Sequence, residues 1–238
     1  MSLAAAGATN QGRRSSNEDA WLVDLDLGLL VLADGMGGHN AGEVASALAV
    51  QTVQAFLRKA QTAPSQVRLG EALSLANARI LEEAATRPEQ AGMGTTVVAA
   101  LISGSSAVYT SVGDSRVYLW QEGRLTQLTR DDSWVTATLG EQEAAEAQRS
   151  GNHPMRHVLT KVVGLRPELE ISTAECSLAT GDGLLLCSDG VHGAVSAAEL
   201  ADLLAGRQAV GDLAGAIVGL AIERGASDNA TAIVARLE

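Results

Sequence analysis

The most constraining feature of this chain is the stretch 29–39, LLVLADGMGGH. An unbroken apolar run of this length reads as a buried strand, although periodicity alone leaves a buried helix open. The glycines directly after it argue for a strand that stops abruptly. Asp34 then stands at the tip of a buried strand, ahead of backbone free to turn tightly. The pattern returns at 183–190, GLLLCSDG, where an apolar run ends in Asp189-Gly190. One such ending is a common turn. Two suggest two strands presenting carboxylates to one place.

The remaining elements follow from period and punctuation. Residues 20–26 alternate loosely and join 29–33 through Asp26-Leu27-Gly28, which predicts a hairpin. Ala45, Leu48, Ala49, Val53, Phe56 and Leu57 have helical spacing within 41–59. A second helix starts at Pro64-Ser65, carries Leu69, Leu73, Ala76 and Ile80 on one face, and ends before Pro88. Short runs at 95–102, 107–112, 116–120 and 124–128 predict antiparallel meandering strands. Residues 131–167 are polar and read as a flap, with a helical stretch at 141–149 closed by Gly151. Strands are expected at 169–176, 184–188 and 230–237, and helices at 196–205 and 209–224. Strand runs and helix runs segregate, so the fold class is α+β rather than a doubly wound sheet. A central β-sandwich with helix pairs outside would bury both kinds of apolar face.

Composition narrows the partners. A formal charge of −11 argues against nucleic acid and against an anionic membrane surface. The longest apolar runs fall far short of a membrane span. The start, MSLAAAG, lacks the basic n-region and long apolar core of a signal peptide, and its first three residues read as a candidate cloning remnant. Cys176 and Cys187 form no CxxC and read as thiols in a reducing compartment. A soluble, cytoplasmic monomer is the expectation.

Acidity also has a local meaning. Five Asp-bearing motifs fall at strand ends or in adjoining loops: Asn17-Glu18-Asp19, Asp34-Gly35, Gly113-Asp114-Ser115-Arg116, Ser188-Asp189-Gly190 and Ser227-Asp228-Asn229. Each alone is a solvated turn or a cap. Asp34, Asp189 and Asp228 each adjoin a strongly apolar strand and so lie near the core, and carboxylates gathered there repel unless cations neutralise them. Oxygen-only ligands suit Mg2+ or Mn2+. Two such ions sharing a carboxylate sit roughly 3.5–4 Å apart, with a bridging water as nucleophile for phosphoryl chemistry. Arg13 and Arg14 lie close enough in sequence to grip a phosphate, which arginine does bidentately.

Other motif readings fail. The glycines of 34–42 do not fit G-x-G-x-x-G, and neither lysine follows a glycine, so there is no dinucleotide fingerprint and no Walker A loop. There is no G-x-S-x-G, and Ser227-Asp228-Asn229 lacks the S-x-x-K and K-T-G that accompany S-D-N in penicillin-binding enzymes. His153 and His157 enclose Pro154 and form no H-E-x-x-H.

Taken in order, the motifs resemble those of the metal-dependent type 2C protein phosphatases, the PPM family, in their compact bacterial form. The resemblance runs from Gly12-x-Arg14-x-x-Asn17-Glu18-Asp19 through Asp34-Gly35-Met36-Gly37-Gly38-His39 with Gly42-Glu43. It continues through Gly94-Thr95-Thr96, Gly113-Asp114-Ser115-Arg116, Ser188-Asp189-Gly190 and Ser227-Asp228-Asn229-Ala230-Thr231. It implies a four-layer α-β-β-α fold over 1–238, one catalytic domain with the flap at about 131–167. It implies hydrolysis of phosphoserine and phosphothreonine in proteins, opposite a bacterial Ser/Thr kinase. By the matching motifs Asp34 bridges two Mn2+ or Mg2+ ions and Gly35 offers its carbonyl. Asp189 and Asp228 complete one shell, Glu18 and Asp19 hold metal-bound waters, and Asp114 with Asp189 matches a third-metal position. Arg14 matches the phosphate-binding arginine, with Arg13 as its neighbour.

Two positions depart from the family. Met36 stands where some relatives carry a histidine that is a candidate general acid. A metal-bound water or His39 is then the candidate proton donor, and His39 reads equally as a side chain ordering the loop. Residues 131–133 read Asp-Asp-Ser where many relatives read Asp-His-Ser. A second class of reading, a catalytically weak module that binds phosphoproteins or metals, predicts a lost ligand, and every expected carboxylate is present. A third, a phosphatase of small molecules, uses the same site.

Overall fold

The computed structural model describes residues 2–37, 41–59, 65–140, 143, 153–206 and 208–238. The opening stretch is strand β3 (Leu29–Met36), and its side chains alternate as a strand's must. Leu29, Val31 and Ala33 enter a core beneath helices α1 (Ala41–Lys59) and α2 (Gln66–Thr86). Leu30 and Leu32 enter a second core on the opposite face. The strand is buried on both faces, which is why its sequence shows no polar alternation.

The recurrence of that pattern is strand β10 (Gly183–Cys187). Leu184 and Leu186 join Leu30 and Leu32 in the middle core, whereas Leu185 and Cys187 face a third core. That third core lies under α5 (Ala197–Leu204) and α6 (Val210–Glu223), with α4 (Asp189–His192) between β10 and α5. Three apolar cores stacked in this way define four layers, α-β-β-α, as expected.

All strand pairing is antiparallel. One sheet runs β1-β11-β10-β7-β8, from β1 (Leu3–Asn10), β11 (Ala230–Leu237), β7 (Arg116–Gln121) and β8 (Arg124–Gln127). The other runs β2-β3-β5-β6-β9, from β2 (Asp19–Asp24), β5 (Val97–Ser103), β6 (Ser106–Val112) and β9 (Ser172–Ser177). Short β4 (Gly94–Thr95) pairs with the end of β3. The expected hairpin of β2 and β3 is present, closed by a Gly28 N–H donated to the Leu25 carbonyl.

Several expectations change. The four strands between 95 and 128 are not one meander. β5 and β6 belong to one sheet and β7 and β8 to the other, and the chain crosses between sheets at Gly113-Asp114-Ser115. The expected strand at 169–176 begins only at Ser172. A short helix α3 (Trp134–Leu139), capped by Ser133, stands inside the flap segment. The helical stretch expected at 141–149 lies outside the described residues apart from position 143. Most informative is β1, which sequence patterning did not reveal. Leu3 pairs with Leu237, and the Ser2 and Glu238 backbones bond each other at 2.8 Å, so residues 2 and 3 lie within the sheet. Its sequence, LAAAGATN, has little β-propensity. Pairing with β11 makes it a strand.

Helix entries follow local chemistry. Ser65 caps α2 by accepting from the Arg68 N–H at 3.3 Å. Ser196 and Glu199 form a reciprocal capping box on α5. Each cap of this kind contributes about 1 kcal/mol.

Candidate active site

Both sheets deliver their acidic ends to one region. Asp34 lies directly opposite Asp19 across the β2–β3 ladder. It shares the parity of Leu30 and Leu32, so its side chain is directed between the sheets. In the other sheet, Cys187 at the end of β10 pairs with Ala232 near the start of β11 and with Arg116 at the start of β7. Asp189 follows β10, Asp228 precedes β11 and Asp114 precedes β7.

Ser188 and Thr231, at the ends of β10 and β11, both bond Asp19 of the other sheet, and the electrostatics agree that these ends lie close. The Asp34 carboxyl is pushed well above the ordinary range, first by desolvation and then by the charges of Asp19, Asp189, Asp114 and Asp228. Asp189 is pushed well up by desolvation and by Asp114, Asp228 and Asp19, with Arg14 opposing. Asp19 rises to about 6, chiefly by desolvation, against hydrogen bonds from Thr231 and Ser188. Asp114 also rises to about 6, through desolvation and then Asp131. Asp114 is buried, whereas Asp19, Asp34 and Asp189 keep an opening to solvent. These acids are crowded together and partly cut off from water, which is how functional sites perturb titration.

The hydrogen bonds leave specific oxygens over. Asp19 Oδ2 accepts from Thr231 Oγ1 at 2.6 Å and from Ser188 Oγ at 3.0 Å. Asp19 Oδ1 and Asp189 Oδ1 are buried with no hydrogen-bond partner. A buried carboxylate oxygen without a partner is costly, and a cation removes that cost. The donors are all oxygens, which suits Mg2+ or Mn2+. Among the described residues no three His, Cys, Asp or Glu side chains are drawn into a ready-made cage. The residues fit a hard cation by donor type and by orphaned atoms.

Arg14 occupies the rim. Its Nη2 donates to Asp228 Oδ2 at 2.5 Å, and its side chain is 60% exposed. Asp189 and Asp34 also act on its charge. Arg13 reaches toward Gly225 instead. Glu18 lies between Arg14, Asp228 and Glu43, and its pKa is raised, mostly by desolvation.

Gly35 has a sharper reason to be glycine than carbonyl access. A Cβ there would lie 2.1 Å from the Gly42 carbonyl oxygen and 2.7 Å from that of Glu18. The first turn of α1 therefore packs directly on the end of β3, and only glycine permits it. Gly190 does the same against Asn229, whose carbonyl oxygen would lie 2.0 Å from a Cβ.

Asn229 and Thr96, quoted within motifs but given no role, and His192, which no motif included, prove to organise the site. Asn229 Nδ2 donates to the carbonyls of Gln11 and Ser16, and its Oδ1 accepts from the Glu18 N–H at 2.8 Å. It thus fastens the loop that carries Arg14 and Glu18. Thr96 Oγ1 accepts from the Asp34 N–H at 3.1 Å and bonds Ser115 Oγ at 2.8 Å. His192 Nε2 lies 2.9 Å from the Asp114 carbonyl, and packing around the ring pushes its pKa down to about 3.

In the flap, Asp131 clamps Arg116 through two hydrogen bonds, at 2.9 and 2.7 Å. Asp132 accepts from the Gly113 N–H at 3.2 Å and lies 3.6 Å from Lys161. His153 stacks on Trp134, and His157 is exposed near the charges of Asp228 and Arg14. His39 lies outside the described residues.

A four-layer sandwich with oxygen donors crowded at one end defines a class of phosphatases. A family model for protein phosphatase 2C matches residues 6–214. The serine/threonine phosphatase stp of Listeria welshimeri serovar 6b is 35% identical over 210 residues, covering 87% of this chain and 83% of its own length. The crystal structure of the Mycobacterium tuberculosis serine/threonine phosphatase PstP/Ppp superposes with a TM-score of 0.90 at 33% identity, over 100% of both chains. A structure of the PstP catalytic domain in complex with 2 manganese ions gives a TM-score of 0.88 at 32% identity, over 99% of both chains. The chain belongs to the protein phosphatase 2C family.

Proposed function

We propose that this chain hydrolyses phosphoserine and phosphothreonine in proteins, using Mn2+ or Mg2+ held by its acidic cluster. Asp34, the Gly35 carbonyl, Asp189 and Asp228 hold two ions, Glu18 and Asp19 act through water, and Asp114 serves a third. When bound, the ions supply the hydrolytic water and offset charge on the phosphate oxygens. The protein's own part is positional. Thr231 and Ser188 fix Asp19, and Thr96 fixes the backbone of Asp34. Asn229 fixes the loop bearing Arg14. Arg14 gives one N–H to Asp228 and is otherwise turned to solvent, leaving the rest of its fork for a phosphate oxygen.

The observation that carries this reading is the cluster itself. Carboxylates from separate chain segments raise one another's pKa, with two oxygens left unpartnered. Relatives named as serine/threonine phosphatases support the substrate class. Residues 1–238 act as one catalytic domain with its flap at about 131–167. A cognate Ser/Thr kinase, a cytoplasmic location and a monomeric working unit complete the proposal. Kinase–phosphatase pairing on a shared substrate, cell fractionation and size-exclusion chromatography test these in turn. The central test is release of phosphate from a phosphothreonine peptide. It should require added Mn2+ or Mg2+ and fall by at least about 10²–10³-fold in Asp34→Ala or Asp189→Ala. Undiminished turnover in excess EDTA would refute it.

A further inference from the structure

The acidic cluster has to hold Asp114 and Asp189 together although each carries charge that repels the other. Two hydrogen-bonded links oppose that repulsion. On one side, Asp34 N–H, Thr96 Oγ1 and Ser115 Oγ form a chain that ties the tip of β3 to the residue after Asp114. On the other, His192 ends the short helix that begins at Asp189, and its Nε2 lies 2.9 Å from the Asp114 carbonyl. A carbonyl oxygen only accepts, so the ring carries its hydrogen on Nε2. The ring therefore joins the segment bearing Asp189 to the segment bearing Asp114. The Asp114 peptide is gripped at its carbonyl by His192 and next door, at Ser115, by Thr96. It lies where the chain crosses from one sheet to the other, after Gly113 with a φ of 101°.

We infer that His192 is a positioning residue that sets the Asp114 carboxylate beside Asp189 and so builds the third cation position. It touches neither substrate nor ion, and it acts through the Asp114 backbone. The inference rests on the metal-dependent reading proposed above. Groups that orient ligands from behind typically change metal affinity by about 10–100-fold when removed.

Reach separates this role from simple packing. His192→Gln keeps a neutral amide N–H at about the distance of Nε2. His192→Asn keeps the amide but falls short, and His192→Leu keeps volume with no donor. Mn2+ titration by calorimetry on the full chain reads each. Wild type and His192→Gln should bind two ions and a weaker third. His192→Leu and His192→Asn should weaken the third by about tenfold or more and leave the first two within about twofold. Circular dichroism checks folding, and if His192→Leu fails to fold, the Gln and Asn pair decides alone. The inference is overturned if all folded variants bind the third ion as wild type does, or if Gln and Asn behave alike. Wild-type protein that binds two ions and no third overturns this inference alone, and wild-type protein that binds no Mn2+ overturns the metal-dependent reading with it.

Discussion

Two sets of enclosed carboxylates in this protein are treated in opposite ways. Asp131 is buried and meets Arg116 in a two-pronged ion pair, with side chains only 5% and 14% exposed. Asp24 is buried and receives the Arg58 guanidinium, the Gln54 amide and the Leu27 N–H, which together bring its pKa below the ordinary range against the pull of desolvation. Asp34 and Asp189 have acidic neighbours instead, and Asp189 keeps a buried oxygen with no partner at all. The same chain that neutralises its structural acids gives Asp34 and Asp189 no paired guanidinium of this kind. Burying charge without a partner costs stability. A cluster that persists in that state is built for something brought in from outside.

The contrast predicts mutations of opposite sign. The largest effect should come from the compensated set. Arg116→Met strips Asp131 of its guanidinium and should cost about 3–5 kcal/mol, read as a lowered urea midpoint. A loss under about 1 kcal/mol would mean that the pair is not what steadies Asp131.

The clustered set should respond the other way. Asp19 and Asp114 are raised to about 6, against about 3.9 in an unfolded chain. The folded state then binds more protons than the unfolded state through that window. In EDTA, this contribution to stability is complete below about pH 4 and is lost as pH rises through about 6. Asp34 and Asp189, also raised, carry the loss further up the scale. Asp34→Asn in EDTA should therefore stabilise the protein at neutral pH by about 1–3 kcal/mol, seen as a higher Tm, while activity disappears. A lower Tm would place Asp34 with Asp131 and erase the comparison.

Arg14→Ala sharpens the boundary between the sets, because Arg14 is ion-paired with one of the clustered acids, Asp228. We expect KM for a phosphopeptide to rise by about tenfold, as for a lost charged hydrogen bond, with kcat less affected. An unchanged KM would assign Arg14 to Asp228 alone.

Much of this was legible in the chain, for reasons that differ by feature. Helix α1 occupies the span its apolar spacing predicts, and β11 likewise, because burial writes its period locally. The strand-tip acids were readable because strand and carboxylate are adjacent in sequence. β1 was not readable, since alanine and glycine carry no alternating signal and only β11, more than two hundred residues away, makes it a strand. The crossing at Asp114 was hidden because spacing cannot tell which sheet a strand joins. The supporting bonds were hidden as well. Asn229 reaches Glu18 across 211 positions and His192 reaches Asp114 across 78, distances at which sequence alone carries no geometry. Gly35, singled out in the sequence for its carbonyl, is confined to glycine by the packing of α1 on it.

On the proposed function, the clustered acids are a cation site and the acids paired with Arg116 and Arg58 are not. Anomalous scattering from crystals soaked in Mn2+ tests it most directly. Strong peaks are expected among Asp34, Asp189 and Asp228, a weaker one toward Asp114, and none at Asp131 or Asp24. A map with no peak at the cluster, or with manganese seated at the paired acids instead, would contradict it.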